Sequence, residues 1–221
     1  MNRGKLIVIE GTDGTGKETQ SLMLVDRLNK EGRPAKYIDF PRYDTPTGML
    51  VRDYLQGKLG PPAEVDPYVA SKLYADDRKA AAPMMEEWLS QGNIVVCNRY
   101  VSANKGHQGG KTRSPEAMQD FLGWVNSVEY RINKIPREDL VMLLYAPHLI
   151  GMNNAKDRAE HKGISVDGHE TDSRHMSDAE RAYLHIAEVE GWTVLDVSDG
   201  NKLHPRELIH DAVYKIVKSK F

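Results

Sequence analysis

The run Gly11-Thr12-Asp13-Gly14-Thr15-Gly16-Lys17 follows directly on the apolar stretch Leu6-Ile7-Val8-Ile9. Glycines at 11, 14 and 16 let the backbone curl, so that successive N–H groups point inward at phosphate oxygens. Lys17 adds a point charge, and a helix opening there adds the partial positive charge of its N-terminus. Strand, loop and helix come in the order a phosphate-binding loop requires, which sets this run apart from a glycine-rich turn without a ligand. Thr19 completes the loop's exit into the helix. One member departs from the pattern: Glu18 stands where a Ser or Thr would ligate magnesium.

Two further clusters place an arginine just after an apolar strand pattern. They are Phe40-Pro41-Arg42-Tyr43 and Asn98-Arg99-Tyr100. A guanidinium suits a second phosphate because its fork donates two parallel hydrogen bonds. Arg42 and Arg99 therefore point to two phosphorylated ligands lying head to head, although either could serve in a surface ion pair instead. Tyr74 and Arg78 are four apart on one helical pattern and share a face, giving a ring to stack on a base and a fork to bond its edge. An aromatic at that spacing is equally compatible with core. Arg158 and Lys162 share another face, near Lys156, and precede the stretch Gly163–Thr171 with Asp167, His169 and Glu170. Cations on a hinged segment can close over transferring phosphates. The plain alternative is a solvated polar face.

The elements that must position these groups alternate. Lys5–Glu10, Ala35–Phe40, Ile94–Asn98, Leu140–Tyr145 and Thr193–Asp196 read as buried strands. Gly16–Glu31, Thr47–Gln56, Pro67–Gln91, Ser114–Tyr130, Pro147–Lys162, Ser177–Gly191 and Pro205–Lys220 read as helices. This alternation implies parallel strands, right-handed crossovers and helices on both faces. Ligands then gather at the carboxyl ends of the strands, where each cluster above falls. Pro83 should kink or break its helix, or mark a restart. Gly106–Thr112 and Lys162–Thr171 read as mobile loops.

Composition narrows the classes. A chain of 221 residues fits one domain, with the segment of about 150–171 as a lid. Basic and acidic residues nearly cancel, 30 against 32, so a broad electrostatic grip on nucleic acid or an anionic membrane is not expected. The lone Cys97 excludes an intrachain disulfide and fits a reducing compartment. With no membrane-length apolar run, the chain is expected in the cytosol. The histidines show no metal-ligand spacing.

Taken together, the loop with Asp13, Phe40 to Tyr43, Leu73-Tyr74-Ala75-Asp76-Asp77-Arg78, Arg99-Tyr100-Val101-Ser102-Ala103-Asn104 and Asp167 to Glu170 resemble thymidylate kinases, in order and spacing, across residues 5 to 170. The resemblance implies a three-layer α/β/α P-loop NTPase fold with a five-stranded parallel sheet and a mobile lid. It implies transfer of the ATP γ-phosphoryl group to dTMP with Mg2+, and a homodimer packed through helices. The run Ala80-Ala81-Ala82 with Met84, Met85 and Trp88 offers apolar surface for such packing, or ordinary core. It also implies roles by position. Gly11, Thr12, Gly14, Thr15, Gly16, Lys17, Glu18 and Thr19 would hold the donor. Asp13 would hold the acceptor sugar and help organise magnesium, with Glu18 and Asn98 in the metal region. Tyr43 and Arg99 would bracket the acceptor phosphate, with Arg42 at the same edge and Phe40 lining the pocket. Tyr74 would stack on thymine, Arg78 would reach its O4 and Asn104 its N3. Arg158 and Lys162 would act from the lid, and Asp167 and Glu170 near the acceptor. The adenine contacts map loosely to Ser198–Leu203.

This chain departs from that pattern at the metal. Asn98 replaces the family's aspartate, and Glu18 replaces a hydroxyl. A carboxylate about 4 Å from a phosphate would cost about 4 kcal/mol at an effective dielectric of 20. Glu18 must therefore turn away or meet a cation, and it is read as restoring the charge lost at Asn98. Gly14 replaces an arginine found in one branch, which favours positive charge supplied by Arg158 and Lys162. His107 stands where relatives place an aromatic against the sugar, so deoxyribose selectivity is less defined than thymine recognition. Two alternatives stay open: a kinase for another pyrimidine nucleotide or nucleoside, and a nucleotide-binding regulator without turnover. A GTPase is disfavoured, since Asn154-Ala155-Lys156-Asp157 has the wrong order for a guanine-reading Asn-Lys-x-Asp.

Overall fold

The computed structural model describes residues 3–154 and 173–221. Five parallel strands form one sheet in the order β2-β3-β1-β4-β5. They are β1 Leu6–Glu10, β2 Ala35–Asp39, β3 Ile94–Asn98, β4 Leu140–Tyr145 and β5 Thr193–Asp196. Between them run α1 Lys17–Lys30, α2 Pro46–Leu55, α3 Pro67–Ser90, α4 Val101–Gly109 and α5 Pro115–Asn126. A helical stretch over 148–154, here α6, follows β4. Then come α7 Ser173–Glu190 and α8 Arg206–Lys220.

The three-layer build follows from strand periodicity. Successive β1 side chains point to opposite faces. Leu6 and Val8 join Ile38, Met85, Leu89 and Phe121 on one side. Ile7 and Ile9 join Leu24, Leu28, Val213 and Val217 on the other. Both faces of the central strand are thus buried, which is why it reads as an unbroken apolar run. Helix starts are set by caps: the Thr45 hydroxyl accepts from the Gly48 amide at 3.1 Å, and Asp66 accepts from Tyr68 and Val69 at 2.8 and 3.2 Å. A proline follows each cap, at 46 and 67, where its missing N–H costs nothing.

Three expectations need correction. Helix α3 runs unbroken through Pro83, which lies on its solvent face, where a freed carbonyl can be hydrated. Gly106–Thr112 is not a loop throughout: α4 extends to Gly109. Its glycines are there for packing, because a Cβ on Gly106 would meet the Tyr183 ring at 2.3 Å and one on Gly110 the Ala179 amide at 3.0 Å. The helix expected over Ser114–Tyr130 is split, with α5 passing into a π-helical turn at Ser127–Ile132. Of the apolar run on α3, Ala81, Ala82 and Met85 are core. Met84 and Trp88 pack against the same cluster, which leaves little of that run as free surface.

Candidate active site

The phosphate loop turns through three glycines in the positive-φ region: Gly11 (151°), Gly14 (79°) and Gly16 (87°). The Thr15 hydroxyl and the Lys17 ammonium both donate to the Thr12 carbonyl, at 2.9 and 2.8 Å. Lys17 also lies 3.7 Å from the Asp13 carboxylate. The loop packs closely on α6: a Cβ on Gly14 would fall 1.9 Å from the Gly151 carbonyl oxygen, and the Asn154 amide donates to the Gly14 carbonyl at 2.6 Å. No side chain fits at 14 in this arrangement, which gives a local reason for glycine there. Glu18 and Thr19 stand exposed on the first turn of α1.

Across the loop, the carboxyl ends of β2 and β3 and the facing sides of α3 and α4 enclose a cavity of about 560 Å³, mouth included. It gathers most of the residues expected to bind the acceptor. Asp13, Arg99 and His107 line it together, Phe40 and Tyr43 flank them, and Tyr74, Arg78 and Asn104 complete the lining on the far side. Arg99 adopts a left-handed backbone, φ 63°, unusual for a residue with a side chain. That turn sends its guanidinium to the Asp13 carboxylate, while its other terminal nitrogen donates to His107 Nε2 at 3.0 Å. An arginine only donates, so His107 Nε2 is the acceptor in this contact. Burial works against the Arg99 charge, but Asp13, Tyr183 and Glu10 outweigh it and hold the guanidinium firmly protonated.

At the far side, Arg78 is 1% exposed and donates twice to Glu129 Oε1, at 3.1 and 2.6 Å, and once to the Tyr100 carbonyl at 3.1 Å. Each terminal guanidinium nitrogen keeps a second N–H beyond these bonds. The Asn104 amide donates to the Ser71 carbonyl at 3.0 Å, which fixes its plane and leaves Oδ1 as its acceptor. The Tyr54 ring meets Tyr74 edge-on at 6.2 Å.

Arg42 is not part of this cavity. Its guanidinium bonds the Asp77 carboxylate at 3.0 and 2.9 Å and the Asp77 carbonyl at 2.9 Å, and its backbone amide adds a bond of 2.8 Å. Asp77 is itself buried and takes the Thr47 hydroxyl at 2.8 Å. An ion pair so enclosed and multiply bonded anchors the Phe40–Tyr43 turn to α3. It holds in place the turn that carries Tyr43. Arg158, Lys162, Asp167 and Glu170 lie outside the described residues.

The metal region holds a group the sequence reading missed. Asn98 donates to Asp39 Oδ1 at 2.8 Å, placing a β2 carboxylate beside the position where the family's β3 aspartate is absent. Among the described residues, Asn98 Oδ1 has no hydrogen-bond partner. Partial burial of the carboxyl pushes Asp39 up to about 6, although the residue as a whole is exposed; Arg99, Asn98 and Lys17 oppose the rise and Glu18 adds to it. Among the described residues no three His, Cys, Asp or Glu side chains cluster closely enough to hold a metal alone. That donor set fits magnesium carried on phosphates, since such ions keep waters and take one or two carboxylates. Glu10, another omission, is fully buried at the end of β1. The available signal was a lone acid ending an apolar run.

The family profile described as thymidylate kinase matches residues 9–207. A human thymidylate kinase is 34% identical over 143 residues, 64% of this chain. The match spans 61% of the human protein's length. A thymidylate kinase of Danio rerio is 30% identical over 162 residues, covering 72% of this chain and 67% of that protein. A solved thymidylate kinase structure from Candida albicans superposes with a TM-score of 0.74 at 20% identity, over 98% of this chain and 92% of that one, and so shares the fold. With the profile matching most of its length, the chain belongs to the thymidylate kinase family.

Proposed function

We propose that this chain transfers the γ-phosphoryl group of ATP to dTMP, giving ADP and dTDP. One observation carries the reading: Arg99, Tyr74, Arg78 and Asn104 line a single cavity that opens onto Asp13 of the phosphate loop. The donor phosphates would lie in the loop amides beside Lys17, and the acceptor phosphate at Arg99. Such chemistry needs alignment and charge neutralisation rather than a covalent nucleophile, because the acceptor oxygen is already anionic. Arg158 and Lys162 would add positive charge from the lid, with Asp167 and Glu170 near the acceptor. Magnesium on the donor phosphates would neutralise developing charge; Asp13, with Glu18 and Asp39, would hold it directly or through water.

The base preference follows from hydrogen-bond sense. Asn104 Oδ1 accepts and Arg78 only donates, which matches the N3–H and O4 of thymine or uracil. Cytosine presents an acceptor at N3 and a donor at position 4, so both contacts would oppose it. A buried mismatch of this kind is worth roughly two orders of magnitude or more in discrimination. A homodimer remains the expected assembly. Its interface would draw on Ala80 and neighbouring exposed positions, since Ala81, Ala82 and Met85 are used in the core.

The test is steady-state ADP release with ATP, magnesium and each of dTMP, dUMP, UMP, dCMP and CMP. Thymine and uracil nucleotides should turn over and cytosine nucleotides should not. ATP binding without ADP formation in the presence of dTMP would instead establish the regulator reading, which Asn98 and Glu18 motivate.

A further inference from the structure

Glu10 has no contact with water, so its carboxylate depends on protein donors. Oε1 accepts from the Gly11 amide at 3.1 Å and from the Tyr183 hydroxyl at 3.0 Å. Oε2 accepts from the Ser102 hydroxyl at 2.7 Å. The nearest cation is Arg99, whose terminal nitrogen lies 3.9 Å from Oε1. One buried anion therefore touches the first amide of the phosphate loop, the helix that follows Arg99, and a phenol from α7.

That phenol reaches Glu10 through a gap built for it. Tyr183 is 1% exposed and crosses α4 at Gly106, where a Cβ would stand 2.3 to 2.6 Å from its ring carbons. The His107 ring meets it edge-on at 5.4 Å. Burial, and then Glu10, raise the phenol well above its ordinary titration range, so it remains a donor. Packing alone would be served by a phenylalanine; the hydroxyl serves the carboxylate.

We propose that Tyr183, acting through Glu10, is a positioning residue for Arg99, keeping the Glu10 carboxylate engaged so that the guanidinium stays turned to the cleft. This rests on the reading of Arg99 as the grip on the acceptor phosphate. Without the hydroxyl, Glu10 loses a donor and satisfies itself from the cation 3.9 Å away, drawing Arg99 inward.

The experiment compares calorimetric affinities for dTMP and for thymidine, which shares the base pocket but carries no phosphate. In Tyr183→Phe the dTMP affinity should fall about tenfold, the effect of one hydrogen bond to a charged group, while thymidine affinity stays unchanged. Ser102→Ala removes the other hydroxyl from the same carboxylate and should lower the same ratio. Equal loss for both ligands, or no change in the ratio in either variant, overturns the proposal and assigns Tyr183 to packing. Wild-type protein that binds neither ligand would instead overturn the proposed function.

Discussion

Two glycine-bearing stretches flank Arg99, and they use glycine for opposite reasons. In the phosphate loop Gly11, Gly14 and Gly16 all sit at positive φ, so the backbone itself demands them. In α4 the backbone is ordinary helix, and Gly106 is required by a neighbour, the Tyr183 ring. Glycine within a helix costs about 1 kcal/mol relative to alanine. The cost is offset by bringing α7 against α4 closely enough to reach β1. Local sequence shows the first use through its motif. It hides the second, because the partner is 77 residues away (183 − 106).

The strongest way to sharpen the contrast is Gly14→Ala, where strain at φ 79° and a 1.9 Å overlap with Gly151 act together. It should destabilise the chain by about 3 kcal/mol and weaken ATP binding at least a hundredfold, read by denaturant midpoint and calorimetry. Next comes Gly106→Ala, expected to cost about 2 kcal/mol by overpacking and to lower dTMP affinity through the displaced Tyr183. A neutral outcome would break the comparison, since α4 would then hold glycine for no packing reason. Gly16→Ala is milder. Its φ is 87°, but nothing lies within 4 Å of the added Cβ, so about 1 kcal/mol of backbone strain is expected with the fold intact.

The smallest effect concerns Asp39, at the carboxyl end of the edge strand β2. Its carboxyl is raised from 3.8 to about 6, so the folded chain binds more protons than the unfolded one between those values. The contribution to stability is fully present below about 4 and is lost as pH rises through about 6. Asp39→Asn should flatten that decline in urea midpoints measured from pH 4 to 7. An unaltered slope would show that the carboxyl titrates normally.

Much of this was legible in the sequence. All five strands fall within a residue of their expected bounds, and β1, β3 and β4 are the buried apolar runs expected. β2 and β5, also expected to be buried, are instead the sheet's edge strands and carry exposed residues, Lys36 and Asp39 in one and Val194 and Asp196 in the other. Tyr74, Arg78, Arg99 and Asn104 converge as their positions at strand ends and on helix faces imply. Of the two readings open for Arg42, the structure shows the ion pair, and its partner, Asp77, is buried by tertiary contacts that no local pattern displays. Asp39 was missed because it closes an unremarkable strand, and matters only through register, paired with Asn98 on the neighbouring strand. Glu10 and Tyr183 escaped for the same reason: each looks like the polar end or the aromatic face of its own element.

Asp13 sits against Lys17 on one side and Arg99 on the other. A single counterion is thereby shared between the cations assigned to the two nucleotides. Any anion that captures one of them alters the electrical balance felt by the other. On the proposed function, donor and acceptor affinities would then be linked thermodynamically, each changing the other by the same factor.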